Sequence, residues 1–482
     1  MTGRAHFLGI GGVGMAGVAF LLKAQGRAVS GCDLYSTPRT RWLEECGIPV
    51  AVGHSPSHLQ VATSATLPEV ATSAPLPEVN VGELIVTPAV PPDNPELAAA
   101  RAEGLIVRSR GEVLASLVNA ADGIAVCGTH GKTTTATFIT RLLQNLGASP
   151  SWCIGGETGA MPVAGVGTGP LVVEADESDG TLALYRPRTL VLNAVDFDHL
   201  EHFNSKNDYF NCYRAAIRQT SGTVIVCADH PQALALVREM DSQPGRAVAP
   251  RPPEKPNVMT FGFAPEAQVN AADWPDIPVL GRHNVANALA AIAVALSRGF
   301  TREQIAAALP DAVAALPDRR FELVAESNGV RVYTDYAHHP AELKCAIDMA
   351  RALHPARLRV MFQPHRYSRT KALRDEFPPA FAAADEVVLA PVYAAFEEPI
   401  PGGDITDLYA AFGGQSPCVG GQSPHVTLAR SLDEGWQNLL RTARPGDILM
   451  LLGAGDIINL VPRVQADLAN NALNDDCHTY LP

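Results

Sequence analysis

The sequence is short of basic charge, of aromatic rings and of paired cysteines. Its 482 residues carry 37 Lys and Arg against 50 Asp and Glu, a formal net charge of −13. That balance argues against a general nucleic-acid-binding surface, while leaving room for local basic pockets that take phosphate. The nine cysteines are scattered, with no CxxC pair and no metal-ligand spacing. They are expected to be small core residues in a reducing compartment, not a disulfide framework. No basic segment with a signal-type apolar core stands near the start, and the glycine-rich apolar stretch 10–22 is too short to span a bilayer. The expectation is a soluble, cytoplasmic protein with no membrane partner; oligomeric state is left open.

What is present is enough apolar content for sizeable cores, 47% against 18% charged residues. A chain of this length suggests about three domains at roughly 150 residues each. Strand-like runs alternate with helical patterns, which implies an α/β fold of parallel sheets covered on both faces. Segment 1–120 opens with a strand from His6, a glycine turn and a helix to Gln25. Segment 121–316 opens near Gly123 and adds strands at 171–174, 189–193 and 223–227. Segment 317–482 adds strands at 330–335, 358–362, 386–390 and 447–452. Two short tandem duplications, at 61–78 and 414–426, carry Pro with Ser or Gly and are expected to be surface-loop expansions, as is the proline-rich connection 243–256.

The hexapeptide Gly128-Thr129-His130-Gly131-Lys132-Thr133, followed by Thr134, lies between an apolar run and a helix-like stretch. Strand, glycine loop and helix is the arrangement in which backbone N–H groups cradle phosphate. Lys132 would reach terminal phosphates and the Thr133 hydroxyl would take magnesium. Only two residues separate Gly128 from Gly131-Lys132, where the common phosphate loop has four, so this is a narrower set of ATP users. A second fingerprint, Gly9-x-Gly11-Gly12-x-Gly14, is followed 19 residues later by Asp33, suited to a nucleotide pyrophosphate and a ribose hydroxyl. By itself it does not separate NAD from a UDP-sugar.

Other polar motifs follow predicted strands, where open α/β sheets place ligand contacts. The acidic run Glu174–Asp179 is placed to hold magnesium. Asp196 and Asp198 with His199 offer a metal ligand or an oriented base. His283, Asn284 and Asn287 open a small-residue helix. In the last segment, Asp335-Tyr336-Ala337-His338-His339, Gln363-Pro364-His365-Arg366 with Arg369, and Gly453-Ala454-Gly455-Asp456 each follow a strand, so a single cleft is expected. If the turn after His365 is helical, Arg366 and Arg369 converge on one carboxylate or phosphate.

With GIGGVGM, GTHGKTTT, EADESD, GRHNVANA, RRFE at 319–322, DYAHHP, FQPHRYSRT and LLGAGDI in this order, the chain resembles the Mur ligases over nearly its whole length. Within them it is most similar to members that add L-alanine to UDP-N-acetylmuramate. The resemblance implies three domains: a Rossmann-like UDP-sugar domain (1–120), a central P-loop ATPase domain (121–316) and a C-terminal Rossmann-like domain (317–482). It implies ADP-forming amide synthesis through an acyl phosphate, in peptidoglycan synthesis, with ATP and Mg2+ and with UDP-N-acetylmuramate and L-alanine as small-molecule substrates.

Carried over, Gly9, Gly11, Gly12, Gly14 and Asp33 would hold the UDP portion. Gly128, Thr129, His130, Gly131, Lys132, Thr133, Thr134, His283, Asn287, Arg320 and Asp335 would hold ATP, and Thr133, Glu174 and His199 the metal. Lys132, Glu174 and His199 would be catalytic. Tyr336, His338, His365, Arg366 and Arg369 would receive the amino acid. Several relatives carry a carbamylated lysine after the Asp-His element; no lysine lies between Tyr209 and Gly222, so none is expected here. The rival within the family is the ligase that recycles a preformed tripeptide; the HRYSRT and PIPGGD segments look more like alanine addition. A rival of another class, an NAD-dependent oxidoreductase, explains only the first glycine motif.

Overall fold

The computed structural model describes residues 3–60, 80–157, 159, 161–197, 203, 205–241, 255–314, 316–395, 397–413 and 424–475. The duplication at 61–78, most of the connection 243–256, and Asp198 and His199 lie outside the described residues, as does the second duplication up to 423. The chain divides into two compact units, Met1–Pro317 and Asp318–Pro482.

The first unit contains two sheets. One has five parallel strands in the order Val50–Val52, Val29–Asp33, Arg4–Leu8, Val81–Val86, Ile106–Ser109. Strand order reverses between Arg4–Leu8 and Val81–Val86, and the loop Gly9–Gly14 leaves the sheet at that reversal, where doubly wound sheets bind ligands. The other has eight strands in the order Val269–Asn270, Asn257–Gly262, Thr223–Cys227, Thr189–Leu192, Gly123–Cys127, Leu171–Glu174, Ser151–Cys153, Ala164–Gly165; only the last pair is antiparallel. Gly123–Cys127 is buried along its length, as expected for a strand covered on both faces. One hydrophobic cluster runs from Phe7 and Met15 through Leu114 to Val173 and Tyr213, so both sheets share a core. Gly17 shows how tightly: a Cβ there would lie 2.6 Å from Cys153 Sγ.

The second unit has one six-stranded sheet: Glu322–Ser327, antiparallel to Val330–Asp335, then Ile448–Leu452, Leu358–Phe362, Glu386–Leu389 and His425–Leu428 in parallel. Helices on its two faces give two apolar clusters, one around Phe362 and Phe377, the other around Met361 and Trp436. No helix among the described residues is long and apolar enough to cross a membrane.

Strand and helix ends differ from the sequence expectation by one or two residues. The consequential shift is at the phosphate loop: the helix is Lys132–Asn145, so Lys132 and Thr133 stand in its first turn. Helix starts also separate into two kinds. Those at Ser109, Ser205, Thr301 and Asp404 are capped by the side chain of that residue. Those after Gly12, Gly131 and Gly281 begin with glycine and no side-chain cap, which leaves first-turn N–H groups for another acceptor.

Candidate active site

Gly128 and Gly131 have φ of +123° and +78°, values that L side chains rarely adopt. A Cβ on Gly131 would also lie 2.6 Å from Asn287 Oδ1. The turn therefore folds over the Arg282–Ser297 helix. Beneath it runs a buried chain of hydrogen bonds: Asn193 Nδ2 donates to Thr135 Oγ1 at 3.0 Å, Thr135 Oγ1 donates to Asn287 Oδ1 at 3.0 Å, and Asn287 Nδ2 donates to Asn284 Oδ1 at 3.3 Å. Asn287 thus shapes the loop from below, and His283 is half-buried at the start of the same helix.

Lys132 Nζ donates to Gly128 O at 2.8 Å and to both Glu177 oxygens at 3.0 Å. Burial alone would lower the ammonium, but Glu177, Asp176 and Glu174 outweigh it and hold it above its ordinary value. Glu177 itself is fully buried. Sequence reasoning quoted its acidic run but gave the role to Glu174; Glu177 is the member that the turn after the strand aims at Lys132.

Glu174 meets the next residue of the loop. Its Oε2 accepts from Thr133 Oγ1 and from Gly155 N, both at 2.9 Å. A hydroxyl and a carboxylate oxygen at the first turn of an uncapped helix form a hard-oxygen donor pair. Magnesium fits such a pair, since it commonly takes one or two protein oxygens and completes its shell with water and phosphate. The third expected ligand, His199, lies outside the described residues. Its neighbour Asp196 is described: it holds His130 Nε2 at 3.2 Å and His230 Nε2 at 3.3 Å, and those imidazoles keep its carboxyl far below the ordinary range. The Thr129 hydroxyl bridges the Asp196 backbone, accepting from its N–H and donating to its carbonyl at 2.9 Å. Thr134 is buried in the first turn of the helix. The helix after this element, Lys206–Gln219, has its lysine at the first position, with Nζ over the Phe197 ring at 5.3 Å.

At the first glycine loop, Asp33 Oδ2 accepts from Gly11 N at 2.8 Å and Arg39 donates to Gly11 O at 2.7 Å. Gly9 has φ +80°. Gly12 caps the helix with backbone alone, and a Cβ on Gly14 would meet the Arg110 guanidinium at 2.9 Å. Arg110 also reaches toward Asp176, at 3.8 Å, and so links the two loops of this unit. No sequence motif marked it, because the pairing spans 66 positions (176 − 110) and two sheets.

In the second unit the three polar turns do meet. Gln363 donates to Asp456 at 2.6 Å and accepts from Ile457 N at 3.0 Å, while Arg319 donates to Gly453 O at 2.8 Å. Arg319 and Arg320 lie over the Tyr336 ring at 4.7 and 5.2 Å. Tyr336, His338 and His365 form a row with centroids 5.4 and 5.8 Å apart, and His365 stacks on Tyr393 at 5.4 Å. Burial, outweighing Glu342 and helped by Arg369, pushes His338 down to about 4. Burial, His338 and the neighbouring arginines push His365 to about 3. Both rings are therefore neutral at pH 7.

The condition set on Arg366 is not met, and Asp335 has a local role as well. Arg366 is not helical: it precedes the helix Tyr367–Ala372 with φ +72°, so the three-residue helical spacing to Arg369 does not apply. Arg369 instead approaches His365, with Nη1 3.4 Å from Nδ1. Asp335 is buried and already accepts from Phe321 N at 2.7 Å and Ala337 N at 2.8 Å, so it fixes the turn bearing Tyr336. Tyr393 was missed because it lies in an irregular segment after Glu386–Leu389 with no motif of its own; the polar turn after a buried strand was the available signal.

Comparison with known proteins gives a consistent answer along the chain. Three family models match: Mur ligase family, catalytic domain, at residues 4–122; Mur ligase middle domain, at 126–295; and Mur ligase, glutamate ligase domain, at 319–455. The UDP-N-acetylmuramate–L-alanine ligase of Thermobifida fusca is 36% identical, with 96% of each chain covered. That of Gloeobacter violaceus is also 36% identical, again over 96% of each. The solved UDP-N-acetylmuramate–alanine ligase of Thermotoga maritima superposes with a TM-score of 0.72 at 26% identity, over 97% of this chain and all of that one.

Proposed function

This chain belongs to the Mur ligase family, and from that premise we propose that it joins L-alanine to the carboxylate of UDP-N-acetylmuramate, consuming ATP and releasing ADP and phosphate. The substrate pair rests on whole-length likeness to ligases of that name. One juxtaposition carries the reaction type: Lys132 and Thr133, adjacent in a helix first turn, each engage a carboxylate of the Glu174–Glu177 segment. A cation and a hard-oxygen donor pair beside the uncapped helix start support a polyphosphate site there.

The chemistry needs both. A carboxylate is a poor electrophile, so its oxygen first attacks the γ-phosphorus of ATP and ADP departs. Lys132 offsets the charge developing on the phosphoryl oxygens, and Thr133 and Glu174 would hold magnesium, which when bound neutralises phosphate charge. The amine of alanine then attacks the acyl-phosphate carbon, the tetrahedral centre collapses, phosphate leaves and the ammonium proton is lost. The loop Gly9–Gly14 with Asp33 would receive the UDP portion, and Tyr336, His338, His365, Arg366 and Arg369 the amino acid, with the arginines on its carboxylate. In the first unit His283 and Asn287 would line the nucleotide; for the second, the family resemblance gives Arg320 and Asp335 a nucleotide-contacting role. Functionally this is a three-domain division at 1–120, 121–316 and 317–482, with cytoplasmic peptidoglycan synthesis as its setting.

The test is an acceptor screen with UDP-N-acetylmuramate, ATP and magnesium, measuring ADP and ligated product together for L-Ala, Gly, L-Ser and the tripeptide. L-Ala should give the highest kcat/KM, with ADP and product in equal amounts. Turnover with tripeptide alone would overturn the assignment.

A further inference from the structure

Beneath the first glycine loop lies a polar cluster that ligation does not use. His6 sits in the strand Arg4–Leu8, Cys32 in Val29–Asp33, His58 in the turn Pro56–Leu59, and Glu96 in the first turn of the helix Pro95–Ala102. All four are buried, and one potential ligand atom from each lies within 4.8 Å of the others. Among the described residues no other such group of three or more His, Cys, Asp or Glu occurs.

The other three side chains converge on the Glu96 carboxylate. Cys32 Sγ and His58 Nδ1 approach Glu96 Oε2 at 3.2 and 3.3 Å. His6 Nε2 and Glu96 Oε1 are paired at 2.7 Å with both side chains fully buried. Two imidazoles, a thiol and a carboxylate thus converge in one buried pocket of the fold. The other ring nitrogen of His6 is held by Ser30 Oγ at 2.8 Å, which in turn accepts from Arg4 at 3.0 Å. Metal-ligating histidines are oriented in this way through their second nitrogen.

We propose that His6, Cys32, His58 and Glu96 form a four-ligand site for a zinc-class divalent ion, separate from the magnesium and nucleotide positions. Two imidazoles and a thiolate select a borderline-soft ion over magnesium or calcium. Four protein ligands leave no open position, which is the pattern of structural sites. Ligand atoms around tetrahedral zinc lie roughly 3.4 Å apart, so binding needs only the His6–Glu96 pair to open and the rest to draw in. The Cys32 thiol, held protonated by burial and by Glu96, gives up its proton to solvent as the Zn–S bond forms. The ion would pin two strands, a turn and a helix together one residue before Asp33, which holds the Gly11 amide. Scattered ligands explain why cysteine spacing showed nothing: the four come from four elements across 91 positions (6 to 96).

The test uses the full chain. After chelation and desalting, Co(II) and Zn(II) are titrated while thiolate-to-cobalt absorption, bound metal per chain and melting temperature are followed. The expected result is one ion per chain, a tetrahedral cobalt spectrum with a thiolate band, and a zinc-induced rise in melting temperature. Cys32→Ser should abolish the band and the rise, and Ser30→Ala should weaken affinity about 10–100-fold. Because the cobalt spectrum is read on the parent chain, misfolding of a variant does not decide the outcome. Absence of a thiolate band, or binding unaltered in Cys32→Ser and His58→Gln, overturns the proposal.

Discussion

Around the phosphate loop, the Lys132 ammonium lies 3.0 Å from both oxygens of a fully buried carboxylate, Glu177. In the second unit the arrangement is reversed: two imidazoles, His338 and His365, sit among Arg319, Arg320, Arg366 and Arg369 and are kept neutral. The first region keeps its cation charged because surrounding acids outweigh burial; the second keeps its bases uncharged through burial, to which neighbouring cations add. The difference suits the proposed ligands. A polyphosphate needs a permanent cation that stays in place before it arrives, whereas a zwitterionic amino acid needs arginines for its carboxylate and no positive imidazole facing its ammonium.

The strongest way to break this contrast is at Lys132. Lys132→Ala should cut kcat by about 10²–10³ or more, the cost of losing one charge-stabilising donor. It should also destabilise the chain by about 3–5 kcal/mol, because Glu177 is left buried without its partner. The two effects separate in Lys132→Met combined with Glu177→Gln, which should recover most of the stability and none of the turnover. UDP-sugar binding should survive in both. Turnover near the parent rate in either variant would mean that the pair is structural only.

How far the sequence revealed this contrast depends on how local each signal is. Lys132, Thr133 and Gly131 were legible because strand, glycine turn and helix are consecutive, so backbone preference alone places them. The strand ends bearing Tyr336, His365 and Gly453 were legible for the same reason. Glu177 was half legible: the acidic run was plain, but which carboxylate faces Lys132 depends on the turn after Leu171–Glu174 and on the strand beside it. Arg110 with Asp176, Tyr393 with His365, and the His6–Glu96 cluster were not legible. Each joins elements that only tertiary packing brings side by side, and the near-continuous apolar run of a strand buried on both faces does not say what it will lie beside. Arg366 shows the opposite case: its convergence with Arg369 was conditional on a helical turn, and the positive φ at Arg366 does not meet that condition.

The second region is sharpened by pH. The folded pKa of His338, about 4, lies below its ordinary 6.5. The unfolded chain therefore binds a proton that the folded chain refuses between those values. Stability from the neutral ring is present above about pH 6.5 and is lost as pH falls toward 4. The largest loss is on the order of 3 kcal/mol. In thermal melts from pH 7 to 4, His338→Gln should lose fewer degrees than the parent across that window. Parallel acid limbs would show that His338 is not held neutral by the fold. Lys132 offers no counterpart there, since it stays charged in both states.

The smallest effect expected is at Tyr393, and it asks whether the histidine row depends on shape or on a hydroxyl. The ring stacks on His365 with an interplanar angle of 24°, and a Cβ at Gly455 would lie 2.6 Å from its Cγ, so the ring fills its position closely. Aromatic pairs of this kind contribute about 0.5–1.5 kcal/mol beyond burial. Tyr393→Phe retains the ring and should shift stability by no more than about 0.5 kcal/mol, with KM for L-alanine within about twofold of the parent. Tyr393→Ala removes the stacking partner and frees His365 to turn, so KM for L-alanine should rise while KM for ATP holds. A Phe variant as impaired as the Ala variant would assign the effect to the hydroxyl. The second region would then hold its substrate through directed hydrogen bonds as the phosphate loop does, and the contrast between a charged cradle and a neutral ring stack would narrow to the arginines alone.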